Sequence, residues 1–296
     1  MKKRAIIVGC LGQDGYLINE LLKKYNYEIF GISKKNFDIS SNDKIKEVLK
    51  SFKPDEIYYL AAYHHSSENR KNINLKLNYQ VNFYSVLLFL ENIKKFSSKT
   101  KFFFASSSFI FQPSKIKQNE ITEIEPSCHY SLAKVCSMQA CNYYKKNKIF
   151  ASSGILYNHE SRLRQKHFLS KKIVSHAVEN YNNSKKKLVL QNLNLKVDWG
   201  YAPDYVEAMY KILQQNDPKD YVISSGKIHS VREFVKIAYS SLNLDYTKYV
   251  ESKSNEDTSV FRLGDPRLIE KNCNWKPSVN FEEMVKLLVE QEIKIK

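Results

Sequence analysis

Apolar residues follow two rhythms along the chain. Ala5-Ile6-Ile7-Val8 is an unbroken apolar run closed by a glycine, and the next segment repeats apolar positions at Leu17, Ile18, Leu21 and Leu22, the spacing of one helix face. The first rhythm predicts a strand and the second a helix. The alternation recurs, with strands over 28–32, 56–61, 101–105 and 150–156 and helices over 43–51, 78–93 and 131–146. Unbroken apolar strands separated by amphipathic helices predict a parallel sheet covered on both faces. The expected fold class is α/β, a Rossmann-type doubly wound sheet.

Beyond Tyr157 the rhythm loosens. Helices are predicted over 169–181, 201–213, 231–241 and 281–291, with strands over 187–190 and 221–224, a smaller mixed α/β region. The expected division is a dinucleotide-binding domain over 1–156 and a mainly substrate-binding region over 157–296. With no low-complexity linker and no internal repeat between them, the two are expected to interleave.

Composition removes several classes. At 296 residues, 43% hydrophobic and 26% charged, with 8 Gly and 7 Pro, the chain is neither disordered nor collagen-like. Its apolar runs fall far short of the roughly 20 residues that cross a bilayer. Met1-Lys2-Lys3-Arg4 leads straight into the first strand, so the expectation is a cytoplasmic protein without a membrane partner. The five cysteines are an odd set without C-x-x-C spacing, which predicts free thiols and no zinc site. The net charge of +16 is spread over lysines among Asn, Tyr and Ile, and Lys185-Lys186-Lys187 follows a loop-like Asn182-Asn183-Ser184. These read as solvated faces rather than a phosphate-backbone track, so no nucleic-acid partner is expected.

Chemistry enters at Gly9-Cys10-Leu11-Gly12-Gln13-Asp14-Gly15, a G-x-x-G-x-x-G at the first strand-to-helix turn. Glycines there let the backbone turn tightly and approach a pyrophosphate, whose charge the helix N-terminus holds. At the end of the second strand, where an acidic residue would bind the ribose of NAD, stand Ser33-Lys34-Lys35. That leans toward NADP over NAD. Tyr130 and Lys134 are one helical turn apart on one face, so an ammonium and a bound nicotinamide can favour the phenolate as a general base. Ser106-Ser107-Ser108 ends the strand over 101–105, and a hydroxyl there can orient a substrate oxygen. His64-His65 and His159 are assigned loop or substrate-edge roles rather than a metal, because adjacent strand residues point to opposite faces.

With these motifs, the chain resembles the extended short-chain dehydrogenases/reductases, and among them the GDP-mannose 4,6-dehydratases. The resemblance runs in order through the glycine turn with Gln13-Asp14, Lys53-Pro54-Asp55-Glu56-Ile57-Tyr58, Leu60-Ala61-Ala62, Tyr130 with Lys134, Gly154-Ile155-Leu156-Tyr157-Asn158-His159-Glu160-Ser161, Asp198-Trp199-Gly200, Asp204-Tyr205-Val206-Glu207-Ala208-Met209, His229-Ser230-Val231-Arg232-Glu233-Phe234 and Asn274-Trp275-Lys276-Pro277. It implies oxidation of carbon 4 of a sugar nucleotide, with Tyr130 taking the hydroxyl proton, Lys134 holding the cofactor ribose and Ser107 bonding the reacting oxygen. The implied cofactor site comprises Gly9, Gly12, Gln13, Asp14, Gly15, Ser33, Lys34, Asp38, Ile39, Leu60, Ala61, Ala62, Tyr130, Lys134, Leu156 and His159. The implied substrate site comprises Ser107, Ser108, Asn158, Glu160, Ser161, Lys171 and Lys196.

Three departures from that pattern qualify the expectation. The glutamate that the dehydratases place two residues after the serine, as base at carbon 5, is Phe109 here. Val197 and Asn255-Glu256 stand where the resemblance implies diphosphate-binding basic residues, with Arg162, Arg164, Lys171 and Arg262 as candidate replacements. An Arg- and Ser-rich insertion after the second strand is missing, which shifts the expected assembly to a homodimer. The expected function is oxidation or reduction of carbon 4 of a GDP-linked manno-type hexose or heptose without dehydration. The alternatives are a 4,6-dehydratase using another base, for instance near Ser108, and a catalytically quiet cofactor-binding subunit.

Overall fold

The computed structural model describes residues 2–64, 73–254, 256–257 and 259–295. Its first half is a run of βα units: β1 (Arg4–Val8), α1 (Gln13–Lys24), β2 (Glu28–Ile32), α2 (Asn42–Phe52) and β3 (Glu56–Tyr59). Then come α3 (Leu75–Tyr79), a π turn (Gln80–Tyr84), α4 (Ser85–Phe96), β4 (Lys101–Ala105), α5 (His129–Lys146) and β5 (Ala151–Leu156). The second half holds β6 (Asn158–Glu160), α6 (Leu169–Tyr181), β7 (Leu188–Asn192), β8 (Lys196–Val197), β9 (Trp199–Tyr201) and α7 (Ala202–Leu213). It closes with β10 (Tyr221–Ile223), β11 (His229–Ser230), α8 (Val231–Ser240), β12 (Val250–Ser254), α9 (Arg267–Cys273) and α10 (Phe281–Ile293).

The main sheet is six-stranded and parallel, in the order β10-β5-β4-β3-β1-β2. Its central strands are buried along almost their whole length because helices cover both faces. Phe102, Phe103 and Phe104 of β4 are completely buried, each contributing about 1.5–3 kcal/mol by leaving water. Local chemistry sets the helix ends. The Ser41 hydroxyl caps α2, whose buried face is Ile45, Val48 and Leu49, and Lys53 closes it in the left-handed conformation. Ser230 with Glu233 and Asn280 with Glu283 form capping boxes on α8 and α10.

The second half of the chain divides between two cores. Helix α7, strand β10, Ile269, Cys273 and Trp275 pack into the core of the main sheet, whereas α6, α8 and α10 with Trp199, Leu190 and Val250 form another. Asp198 ties these parts together: its carboxylate accepts the Ser225 N–H at 2.9 Å, the Ser225 hydroxyl at 2.6 Å and the Gly264 N–H at 3.2 Å. On the outer side, α3 to α5 leave Leu75, Leu77, Tyr84, Leu132 and Tyr143 exposed.

The helix expected over 78–93 runs without a gap from Leu75 to Phe96 and widens into the π turn at Gln80–Tyr84. Asn82 sits within that turn, completely buried, and its amide reaches back into the loop after β3. Strands β6, β8, β9, β11 and β12 and helix α9 go beyond the sequence reading. Among the described residues no helix is long and apolar enough to cross a membrane.

Candidate active site

The order in which the chain adds strands reverses between β1 and β3, and the loops leaving those strands meet there, at the carboxyl edge where open α/β sheets bind ligands. Gly9 leaves β1 at φ +94° and lies so close to the next loop that a β-carbon would come within 2.7 Å of the Ala61 nitrogen. A β-carbon on Gly15, in the first turn of α1, would stand 2.1 Å from the Gly9 carbonyl oxygen. The turn is therefore sterically closed to any side chain at either position. Gly12 caps α1 without a side-chain hydrogen bond, leaving the first N–H groups of the helix to a ligand. This cradle fits the pyrophosphate of a dinucleotide.

Behind the cradle, α1 is joined to β6 by a buried polar knot. The His159 ring bonds both Asp14 carboxylate oxygens, at 3.0 and 3.1 Å, while its Nδ1 meets the Tyr157 carbonyl at 2.7 Å. Gln13 donates to the His159 carbonyl and accepts the Ser161 hydroxyl. Burial pushes the Asp14 carboxyl up, but the His159 charge and hydrogen bond outweigh it and hold the group below the carboxylate range. Burial likewise lowers His159, and Asp14 reverses the shift so that the imidazole is raised. Asp14 and His159 thus neutralise one another, and the ring stacks on Tyr205 at 4.7 Å.

At the end of β2, Asn36 accepts the Ser33 N–H and hydroxyl and donates to the Gly31 carbonyl, while Lys34 stays exposed beside it. Asp38 is exposed and accepts from Ser40. Ile39, Leu60 and Ala61 pack against the main core, Ala62 is exposed and Leu156 is buried at the end of β5.

Ser107, Tyr130 and Lys134 come together beside the cradle. The Lys134 ammonium donates to the Ala105 carbonyl at 2.8 Å and lies over the Phe104 and Tyr130 rings, 4.8 and 5.7 Å from their centroids. The side chain is buried, and that desolvation pulls it down to about 7. Tyr130 is pushed up to about 12 by burial, against the pull of the nearby Ser107 hydroxyl. Ser107 also accepts the Phe109 N–H at 3.3 Å, and Ser108 beside it is buried.

The sign of the Lys134 shift gives a testable stability profile. An amine lowered in the folded state binds fewer protons folded than unfolded between pH ~7 and ~10, so stability rises with pH across that window. In the cofactor-free protein this one group is expected to add a few kcal/mol between those limits, and Lys134→Met is expected to remove that part of the slope. Urea unfolding at several pH values reads it, and equal slopes in the two proteins would refute it.

The remaining assigned residues serve other contacts. Glu160 accepts the Ser170 hydroxyl and pairs with Arg164 at 3.2 Å. Lys171 pairs with Glu292 of α10 and donates to the Arg162 carbonyl. Lys196 pairs with Asp257 at 3.4 Å, at the surface, and Asn158 is half-buried on β6. Val197 packs against the second core. His65 and Asn255 lie outside the described residues.

Three features of the site go beyond the sequence reading. Asn82 accepts the Tyr63 N–H and donates to the Tyr63 carbonyl and to Asn78, which in turn donates to the His129 carbonyl next to Tyr130. The π turn therefore clamps two of the loops that build the site. Arg262 lies over the Phe109 ring at 4.6 Å, and Arg164 over Phe168 at 3.8 Å. The third is His64, whose ring stands edge-on to Tyr130 at 4.7 Å. The sequence signal for Asn78 and Asn82 was two amides four apart in an apolar helix. The other contacts join distant segments. All five cysteines are free thiols, and no group of three metal-ligating side chains occurs among the described residues.

The sequence pattern describing the GDP-mannose 4,6 dehydratases matches residues 35–288. The chain belongs to the GDP-mannose 4,6-dehydratase family. It is 30% identical to GDP-mannose 4,6 dehydratase 2 of Arabidopsis thaliana, an alignment covering 99% of this chain and 88% of the relative. It is 29% identical to the GDP-mannose 4,6-dehydratase of Vibrio cholerae, covering 99% and 94%. Among solved structures, RMD from Pseudomonas aeruginosa complexed with NADPH superposes with a TM-score of 0.88 at 14% identity, covering 100% of this chain and 99% of that one. The dTDP-glucose 4,6-dehydratase of Bacillus anthracis in complex with NAD gives 0.84 at 18% identity, covering 99% and 97%. The family member described here is a nicotinamide-dependent sugar-nucleotide enzyme of the short-chain dehydrogenase/reductase type.

Proposed function

We propose that the enzyme oxidises, or in the reverse direction reduces, carbon 4 of a GDP-linked manno-configured hexose or heptose, with NADP rather than NAD, and releases no water. The observation that carries the last clause is Phe109. The residue two places beyond Ser107 is a phenyl ring covered by the Arg262 guanidinium, so position 109 offers a cation-covered ring in place of a carboxylate base. Among the described residues, Asp14 is bound to His159, and Glu160 to Arg164 and Ser170. The lean toward NADP rests on exposed Lys34 at the end of β2.

The glycine cradle and the α1 N-terminus hold the pyrophosphate. The nicotinamide, when bound, supplies the hydride acceptor or donor for carbon 4. Tyr130 takes the proton of the carbon-4 hydroxyl, Ser107 holds the same oxygen, and the Lys134 ammonium favours the phenolate. Incubation with GDP-mannose and NADP, followed by mass spectrometry of the sugar nucleotide, tests the reading. A product short of two hydrogens supports it, and one short of the elements of water overturns it.

A further inference from the structure

The loop after β3 brings His64 into contact with rings from three other segments. It is edge-on to Tyr130, with centroids 4.7 Å apart and planes at 82°. It is edge-on to Phe109 at 6.4 Å and stacked on Phe168 at 5.9 Å and 16°. The place of the ring is built in, because the preceding residue, Tyr63, has both its N–H and its carbonyl held by the buried Asn82 side chain. A half-buried imidazole thus stands between the tyrosine that meets carbon 4 and the phenyl group at position 109. Among the described residues, the charged and titratable groups around it include Tyr130 of α5, Arg164 on the Phe168 ring and Arg262 on the Phe109 ring.

We infer that His64 is a catalytic proton carrier for the carbon next to carbon 4. The inference rests on the proposal that the site forms a ketone at carbon 4. A ketone acidifies the hydrogens on its neighbouring carbons. The C–H bond at one of them breaks, its electron pair enters the enolate, and the proton passes to the His64 ring. Its return to the same carbon re-forms the ketone, so atoms and charge balance without any further reactant. Imidazole suits the task because its ordinary pKa of about 6.5 lets it accept and return a proton near neutrality. Return of the proton to carbon leaves every hydroxyl on the sugar, as the proposed function requires; its delivery to the carbon-6 oxygen instead would expel water and overturn that function.

The experiment supplies the ketone directly. The cofactor-loaded protein is incubated in D2O with GDP-4-keto-6-deoxymannose, and the hydrogens at carbons 3 and 5 are followed by NMR. Nicotinamide reduction by GDP-mannose is read separately. The expected result is deuterium at carbon 3 or 5 well above the enzyme-free rate, falling about 10²-fold in His64→Gln and restored when Phe109→Glu is added to that variant. Restoration shows that the His64→Gln protein is folded. Exchange at the enzyme-free rate in the unaltered protein, or undiminished exchange in His64→Gln, overturns the inference. Exchange that depends on His64 without nicotinamide reduction by GDP-mannose upholds the inference and overturns the substrate reading. Reduction without exchange does the reverse.

Discussion

Tyr130→Phe is expected to lower kcat by about 10²–10⁴-fold while leaving nicotinamide binding in place. The substitution removes one oxygen and keeps the ring, so the edge contact with His64 and the Lys134 cation above the ring survive. What disappears is the phenol oxygen near Ser107, the group that takes the carbon-4 proton. The starting point makes the effect large. Burial has raised the phenol to about 12 in the cofactor-free protein, and Lys134 beside it has been lowered to about 7. The two shifts show a dry site in which a positive charge near Tyr130 acts strongly on the phenolate. Stopped-flow absorbance of the nicotinamide, with a separate binding titration, checks both halves. Loss of rate with binding retained supports an enzyme, and an unchanged rate assigns the proton transfer to another group. A cofactor-binding subunit without catalysis shows no turnover to lose.

Gly15→Ala is expected to cost about 3 kcal/mol or more of stability and to abolish measurable cofactor binding. The new β-carbon would sit 2.1 Å from the Gly9 carbonyl oxygen and 2.7 Å from the Cys10 α-carbon, both of them backbone. No side-chain rotation relieves such a contact, so either the turn opens or α1 moves off β1. Each outcome displaces the N–H groups meant for the pyrophosphate. Gly12→Ala makes the contrast, since its β-carbon meets the Gly9 oxygen at 3.3 Å, a contact a small shift accommodates. Thermal unfolding and cofactor titration of the two variants check the order. Equal behaviour would mean that this turn does not hold the dinucleotide.

Much of this was written in local pattern. The strands over 28–32 and 101–105 and the helix over 169–181 have the limits their periodicity predicts, because each buries an apolar run or stripe with polar residues at both ends. Strands β8 and β11 have two residues each, too few to carry a period, and exist only by pairing with one another. The π turn was invisible for a related reason. Asn78 and Asn82 lie within the run predicted as one helix, and only the folded chain shows that their amides face inward to the loop of Tyr63 and the start of α5 at His129.

The candidate site divides in the same way. The glycine turn and the Tyr130–Lys134 pair are legible because their chemistry is confined to one segment each. The pairing of Asp14 with His159, of Lys171 with Glu292, and of Phe109 with Arg262 joins residues from distant segments. No sequence spacing records such contacts. His64 is the clearest instance, since next to His65 it offers a local motif and no hint of the three rings it meets.

The central claim is that hydride leaves or reaches carbon 4 of a sugar nucleotide. GDP-mannose carrying deuterium at carbon 4 tests it directly, by mass spectrometry of the nicotinamide after a single turnover. The expected result is deuterium on the reduced nicotinamide. Reduced nicotinamide without the label would place the oxidation at another carbon and contradict it.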